Sequence, residues 1–358
     1  MNANLKQNQI KAIFLALIAT VCFGIYEYIL GIALQDIPVW LCLSYRYVFT
    51  GYIYFVFLST TGENHISFSP RNIDGIIWLR AIFTISYMAC LAISFAKAPS
   101  QAFVYPFFFL HPLWHEVIHR VLSKEASENI RLQIVFFIIG FSGALLFLYF
   151  NLGVSLYKFP SELAKYWQVC AGAFCGGIGF AWTNEISSSI QKKYQSKRYK
   201  FSGSDRSEKI SSLRINAYTT YAAILLLPVA IPMLKWSLVE AGLEKVNALT
   251  FSGSSWSLVL LSIGFTFVAA GSWLMTEAFK CSTSTAKTAA VDYVILPVAF
   301  ALAFSSSKAE AAPCISKGLL LSIFIIVLGS VIYPITEEVI RQWRMKRMQE
   351  KGLSYLIA

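Results

Sequence analysis

The chain has 358 residues, of which 56% are hydrophobic and only 14% are charged, and its formal net charge is +11. Soluble domains usually carry about a quarter charged residues, so this composition excludes an ordinary soluble protein and indicates one that lies in lipid. The seven cysteines are scattered and form no Cys-X-X-Cys pair, which argues against a disulfide framework or a metal cluster. No P-loop occurs, and we expect no enzymatic activity, no cofactor and no direct coupling to ATP.

In chain order, ten apolar stretches each approach the roughly 20 residues that span a bilayer as a helix. They cover residues 12–32, 38–59, 75–96, 99–119, 132–150, 166–189, 214–234, 255–279, 283–305 and 317–335. The first stretch contains Glu27 and continues beyond it, which predicts a mature helix and not a cleaved signal. Most connections are short, but the segment 191–213 carries seven lysines and arginines.

The basic residues are distributed unevenly between the two sides of the predicted membrane. We expect a multi-pass protein of the bacterial inner membrane. With the N-terminus inside, the inward segments carry most of the basic residues, and the positive-inside rule then predicts that both termini are cytoplasmic. The net charge therefore needs no nucleic acid to explain it. The predicted organisation is a first five-helix repeat (1–150), the start of a second repeat with helix six (151–190), a basic cytoplasmic loop (191–213), the rest of the second repeat (214–335) and a basic cytoplasmic tail (336–358).

The two halves of the chain resemble each other. Three pairs of similar positions recur in the same order: Pro112 with Pro297, Glu125 with Glu310, and 23–27 with 180–184. Five spans per half is an odd number, so the second half must be inverted relative to the first. Inverted repeats are typical of secondary transporters, which bind substrate near the midplane where the halves meet.

These features resemble the drug/metabolite transporter superfamily in its ten-helix, EamA-like form. The matching residues are the small-residue openings of helices one and six, Arg46 in helix two, the proline-then-glutamate pairs, and the glycines Gly140, Gly143, Gly318 and Gly329. The resemblance covers nearly the whole chain. It implies an all-α polytopic membrane protein with ten transmembrane helices in two inverted five-helix repeats, working by alternating access.

Several ionisable residues lie within the predicted spans, where each costs at least about 2.5–3.5 kcal/mol at the helix centre. Those near the cytoplasmic ends are expected to reach water: Arg80, His115, Glu116, Glu277 and Lys287. Glu27, Arg46 and Asp292 lie deeper. Asp292 either faces a substrate or proton path or forms an internal salt bridge, and Arg46 either binds a substrate carboxylate or pairs with Glu27.

Aromatic residues accompany the deep charges, although rings in spans mostly serve packing. Rings beside carboxylates suit a cation or a flat heterocycle, and a guanidinium suits a carboxylate. We therefore predict a small zwitterionic or cationic substrate. The predicted binding residues are Glu27, Arg46, Tyr47, Tyr105, Phe107, Trp182, Asn184, Glu185, Asp292 and Tyr293.

The chain is also similar to the S-adenosylmethionine carriers of obligate intracellular bacteria, which belong to the same superfamily. This similarity implies S-adenosylmethionine as substrate, in exchange for S-adenosylhomocysteine. The expected partners are the small-molecule substrate and the lipid bilayer, with the protein a monomer or a homodimer. The mode of coupling stays open.

Residues His115-Glu116-Val117-Ile118-His119 form an HExxH motif, which on a helix places two imidazoles to bind zinc beside a general base. The alternative function is thus an intramembrane zinc metalloprotease. Its third ligand is unconvincing, since Asp74 precedes the motif and lies at a helix start. A scaffold without transport is a third class, but it gives little reason to retain deep charges. Transport is therefore our preferred hypothesis.

Overall fold

A computed structural model describes residues 3–34, 37–61, 75–98, 103–108, 130–153, 155–196, 199–200, 207–208, 211–240, 255–281 and 317–326, with single positions or pairs between 110 and 121 and at 328, 340, 343 and 347. The helices in this part are α1 (Ala3–Ala33), α2 (Val39–Thr60), α3 (Gly75–Lys97), α4 (Tyr105–Phe108), α5 (Ile130–Leu152), α6 (Phe159–Lys165), α7 (Trp167–Ser196), α8 (Ser212–Glu240), α9 (Ser255–Cys281) and α10 (Lys317–Ile326). Two short antiparallel strands, β1 (Tyr199–Lys200) and β2 (Ser207–Glu208), pair Tyr199 with Glu208.

Five of the described helical segments are long and apolar enough to cross a membrane: Lys11–Ala33, Val39–Thr60, Gly75–Lys97, Ser212–Trp236 and Trp256–Cys281. Shorter apolar segments lie at Ile138–Phe150 and Lys317–Ile326. In lipid the backbone must satisfy its own hydrogen bonds, and a helix does so within one segment. The predicted all-α class is confirmed, and the five long apolar segments are consistent with a membrane protein.

The observed helices agree closely with the predicted spans that they cover. The predicted span 283–305 lies outside the described residues, and so does much of 99–119. Helix α7 has 30 residues but is not among the five apolar segments, because its second half is rich in polar residues. These residues, Thr183, Asn184, Glu185, Ser187 and Ser188, are buried by neighbouring helices and do not face lipid.

The described long helices pack in pairs that join the two predicted repeats. Helix α1 lies against α9, α2 against α8, and α3 against α7, while α8 also contacts α3 and α9 also contacts α2. This set of contacts is symmetric with respect to the two predicted repeats. When α1, α2 and α3 are exchanged with α7, α8 and α9, each contact in the set corresponds to another contact in the set. The rings of Phe23 and Phe180, which the sequence pairs across the repeats, meet edge to face at 6.1 Å.

Glycines permit the close contact between α3 and α7. A Cβ atom at Gly172 would lie 2.4 Å from Ser94 Oγ, and one at Gly179 would lie 2.8 Å from Tyr87 Cβ. A larger residue at either position would require neighbouring atoms to shift, and small residues commonly permit such close approach between membrane helices. The close packing holds the polar half of α7 against the centre of the molecule.

Candidate functional site

Two adjoining cavities lie among α1, α2, α3, α7, α8 and α9. The arginine cavity has a volume of about 50 Å³ and is lined by polar residues, among them Arg46, Tyr47, Thr50, Arg80, Asn184 and Asn216. The glutamate cavity has a volume of about 20 Å³ and is lined by Tyr26, Glu27, Phe108, His111 and other residues. Four residues belong to the walls of both: Phe23, Tyr87, Phe180 and Val268. Volumes of this size hold one or a few water molecules, so neither of these two cavities has room for a metabolite in this conformation.

Arg46 of α2 is only 5% exposed and is held by tyrosine rings. Its guanidinium carbon lies 5.2 Å from the ring centre of Tyr26 and 5.4 Å from that of Tyr47. Nη2 donates a long hydrogen bond of 3.5 Å to the hydroxyl of Tyr87. Cation–π contacts stabilise a desolvated guanidinium without using its N–H groups, so donors remain for a ligand.

Arg80 of α3 forms the second cationic group of the arginine cavity. Nη1 donates to Thr219 Oγ1 at 2.7 Å, and Nη2 donates to Asn216 Oδ1 at 2.8 Å. The amide of Asn216 is oriented in turn by donating to Thr276 Oγ1 at 3.0 Å. The prediction that Arg80 reaches water is wrong, because α8 covers it and leaves it 6% exposed.

Glu27 of α1 is 6% exposed and lines the glutamate cavity. The walls of this cavity include the rings of Phe108, His111 and Phe180, with His111 and Phe180 edge to face at 4.8 Å. Among the described residues, Glu27 and Arg46 form no ion pair, so the predicted structural alternative for Arg46 is wrong. Within the described part of the chain, the rings of Tyr26 and Tyr47 and not a carboxylate lie beside the guanidinium.

Glu185 and Asn184 of α7 engage His115. The Nδ1 atom of His115 lies 3.3 Å from Glu185 Oε1, and both side chains are buried. Asn184 Nδ2 lies 3.4 Å from His115 Nε2, so both ring nitrogens have neighbours on α7. The expectation that His115 reaches water is wrong, since it is fully buried in this cluster.

The zinc hypothesis requires the other two polar residues of the HExxH motif, Glu116 and His119, which lie outside the described residues. Within the described part, no three His, Cys, Asp or Glu side chains lie close enough together to hold a metal ion. The contacts of His115 are those of a buried polar cluster and not those of a ligand turned toward an open site. The protease therefore stays an alternative hypothesis, which zinc analysis of the purified protein tests.

The remaining predicted site residues occupy different places. Tyr47 lines the arginine cavity, whereas Trp182 stacks on Phe83 at 5.2 Å in the packing between α3 and α7. Tyr105 packs edge to face on Phe95, and Phe107 lines an apolar groove of about 680 Å³ beside α5, α6 and α7. Asp292 and Tyr293 lie outside the described residues.

Some cavity residues were not predicted from the sequence. Asn216, Thr219 and Thr220 of α8 all line the arginine cavity, and so does Tyr87 of α3. The α8 residues are spaced i, i+3 and i+4, which places them on one face of the helix. Polar residues at helical spacing within an apolar span were the signal that could have identified this wall.

Comparisons with known proteins identify a fold but no family. No family model matches the chain, and no curated protein matches it. Six chains of solved structures match; one of them, described only as "Crystal structure of protein", superimposes with a TM-score of 0.50 at 12% identity. The match covers 90% of this chain and 97% of that chain. At such low identity it concerns the fold alone, which the two proteins share over nearly their whole lengths.

Proposed function

We propose that the protein is a secondary transporter that moves a small zwitterionic metabolite across the bacterial inner membrane by alternating access. S-adenosylmethionine is the best candidate substrate, in exchange for S-adenosylhomocysteine. The single observation that carries the proposal is the pair of adjoining buried cavities, one with two arginines and the other with a glutamate and aromatic rings.

The two cavities match the two ends of such a substrate. Arg46 has a planar fork of donors that suits a carboxylate, and the tyrosine rings hold it in place without neutralising it. Glu27 attracts an ammonium or sulfonium group, and Phe108 and Phe180 provide faces for a cation or a heterocycle. A ligand with both charges would join the two sites, because the cavities share walls.

The closed cavities fit one state of an alternating-access cycle. The substrate needs far more space than the cavities contain, so the helices around them must separate on one side of the membrane to admit it. The symmetric contact pattern between the predicted repeats supports such a cycle. If two inverted halves exchange their conformations, a state that is open to one side of the membrane becomes a state that is open to the other side.

The proposal includes an EamA-like arrangement of ten spans in two inverted repeats, with both termini cytoplasmic. In this arrangement Asp292 and Tyr293 belong to the ninth span and face the same substrate path. Exchange of one charged metabolite for a related one needs no titrating group.

Uptake of radiolabelled S-adenosylmethionine into proteoliposomes tests the proposal. We expect Arg46→Gln and Glu27→Gln each to lower uptake at least about tenfold, because each removes a charge-assisted contact made in the occluded state. Lys235→Gln is the matched control, since Lys235 lies over the Trp40 ring away from both cavities. Normal uptake by both cavity variants would contradict the site, and a thermal-shift screen would then identify the metabolite that stabilises the protein.

A further inference from the structure

The arginine cavity contains two cations and no carboxylate among its described lining residues. Arg46 and Arg80 are each at least nine-tenths buried, and neither contacts a carboxylate within the part of the chain that the structure describes. Removing two guanidinium groups from water without counter-charge is costly, and neutral hydroxyl and amide partners offset only part of that cost.

Several buried polar groups of the same cavity have no hydrogen-bond partner among the described residues. Within the described residues, four buried groups of its lining have no hydrogen-bond partner: Arg46 Nη1, Arg80 Nε, Tyr47 OH and Thr50 Oγ1. Other hydroxyls nearby already donate to helix carbonyls, as Thr219 does to Ile215 at 2.8 Å and Thr220 does to Asn216 at 2.9 Å. Buried donors are normally paired, so a group that only accepts hydrogen bonds suits this place.

We propose that the arginine cavity, in the conformation described, binds a small inorganic anion, with chloride as the physiological example. The cavity of about 50 Å³ admits a monatomic ion but no organic metabolite, which selects a small inorganic anion over a substrate carboxylate in this conformation. The anion supplies the counter-charge that the described lining residues lack, and it accepts hydrogen bonds from Arg46 Nη1 and Arg80 Nε. This inference does not depend on transport and would hold for a scaffold with the same cavity.

The anion site has a further consequence for substrate binding, and this consequence rests on the proposed function. An entering zwitterion presents its carboxylate to Arg46 and displaces the chloride, so the two ligands compete. Release of the anion then accompanies substrate binding, and the cavity never holds two uncompensated cations.

Equilibrium binding of radiolabelled chloride to the detergent-purified full chain tests the proposal, in gluconate buffer at constant ionic strength. We expect one saturable site per chain that unlabelled bromide displaces. Arg46→Gln and Arg80→Gln should each raise the dissociation constant about tenfold or more, since each removes a charged donor, while Lys235→Gln should leave it unchanged. Bromide-soaked crystals of the unaltered protein should show an anomalous peak in the arginine cavity, which keeps the test independent of whether the variants fold.

The possible outcomes are distinct. Absence of saturable chloride binding by the unaltered protein, or equal binding by the arginine variants, would overturn the anion site and indicate at most surface ions. Saturable binding that S-adenosylmethionine does not displace would uphold the anion site but contradict the proposed role of Arg46 in substrate binding. Displacement of chloride by the zwitterion would support both proposals.

Discussion

Gly177→Ala is expected to destabilise the protein and to distort the glutamate cavity. A Cβ atom at Gly177 would lie 2.7 Å from the backbone oxygen of Phe108 and 3.6 Å from His111 Cβ. The first distance is shorter than any tolerable contact, and a backbone atom cannot move aside as a side chain can. Overpacking of this kind costs about 1–3 kcal/mol, and Phe108 and His111 both belong to the cavity wall that must shift.

Gly176→Ala is the matched control for this prediction. At Gly176 the nearest atom to an added Cβ is Tyr87 O at 3.4 Å, which is ordinary van der Waals contact. Both variants gain the same helix propensity of up to about 1 kcal/mol, so that gain cancels in their difference. We expect Gly177→Ala to unfold at least a few degrees below Gly176→Ala in detergent and to show lower uptake. Equal unfolding temperatures would refute the close contact between α4 and α7.

Other parts of the structure yield further predictions. His115→Ala should lower the free energy of unfolding by about 3 kcal/mol, because it breaks a buried pair, whereas Glu185→Gln keeps a hydrogen-bonding group and should cost less. Metal analysis should find no stoichiometric zinc; zinc that is lost in His115→Ala would instead favour the protease. Trp182→Phe should leave the stability and the KM for uptake unchanged, since Trp182 stacks on Phe83 outside both cavities. A raised KM would indicate instead that Trp182 contacts the substrate. Tyr157 is 95% exposed and lies in a predicted outward loop, so Tyr157→Cys should react with an impermeant maleimide in intact cells. Labelling only after permeabilisation would indicate the opposite topology.

The sequence by itself determined the all-α class and the bounds of most described helices. These properties are local, because about 20 apolar residues in a row form a spanning helix whatever their neighbours are. Depth follows from position along the span, so Glu27 and Arg46 were identified as deep charges before any partner was known. The correspondence of 23–27 with 180–184 was proposed from similar residues at similar places, and the rings of Phe23 and Phe180 are in contact.

Only the tertiary structure decided which of these residues share a cavity. The position of a residue along a span does not say which neighbouring helix its side chain contacts. The rotation of each helix about its axis decides that contact, and it is set by packing against residues more than a hundred positions away in the sequence. Arg80 illustrates the difference: its position near a helix end predicted contact with water, but α8 covers it and supplies Thr219 and Asn216 as partners. For the same reason, Arg46 lies among tyrosines and not against Glu27, and Trp182 packs on Phe83 and not in the cavity.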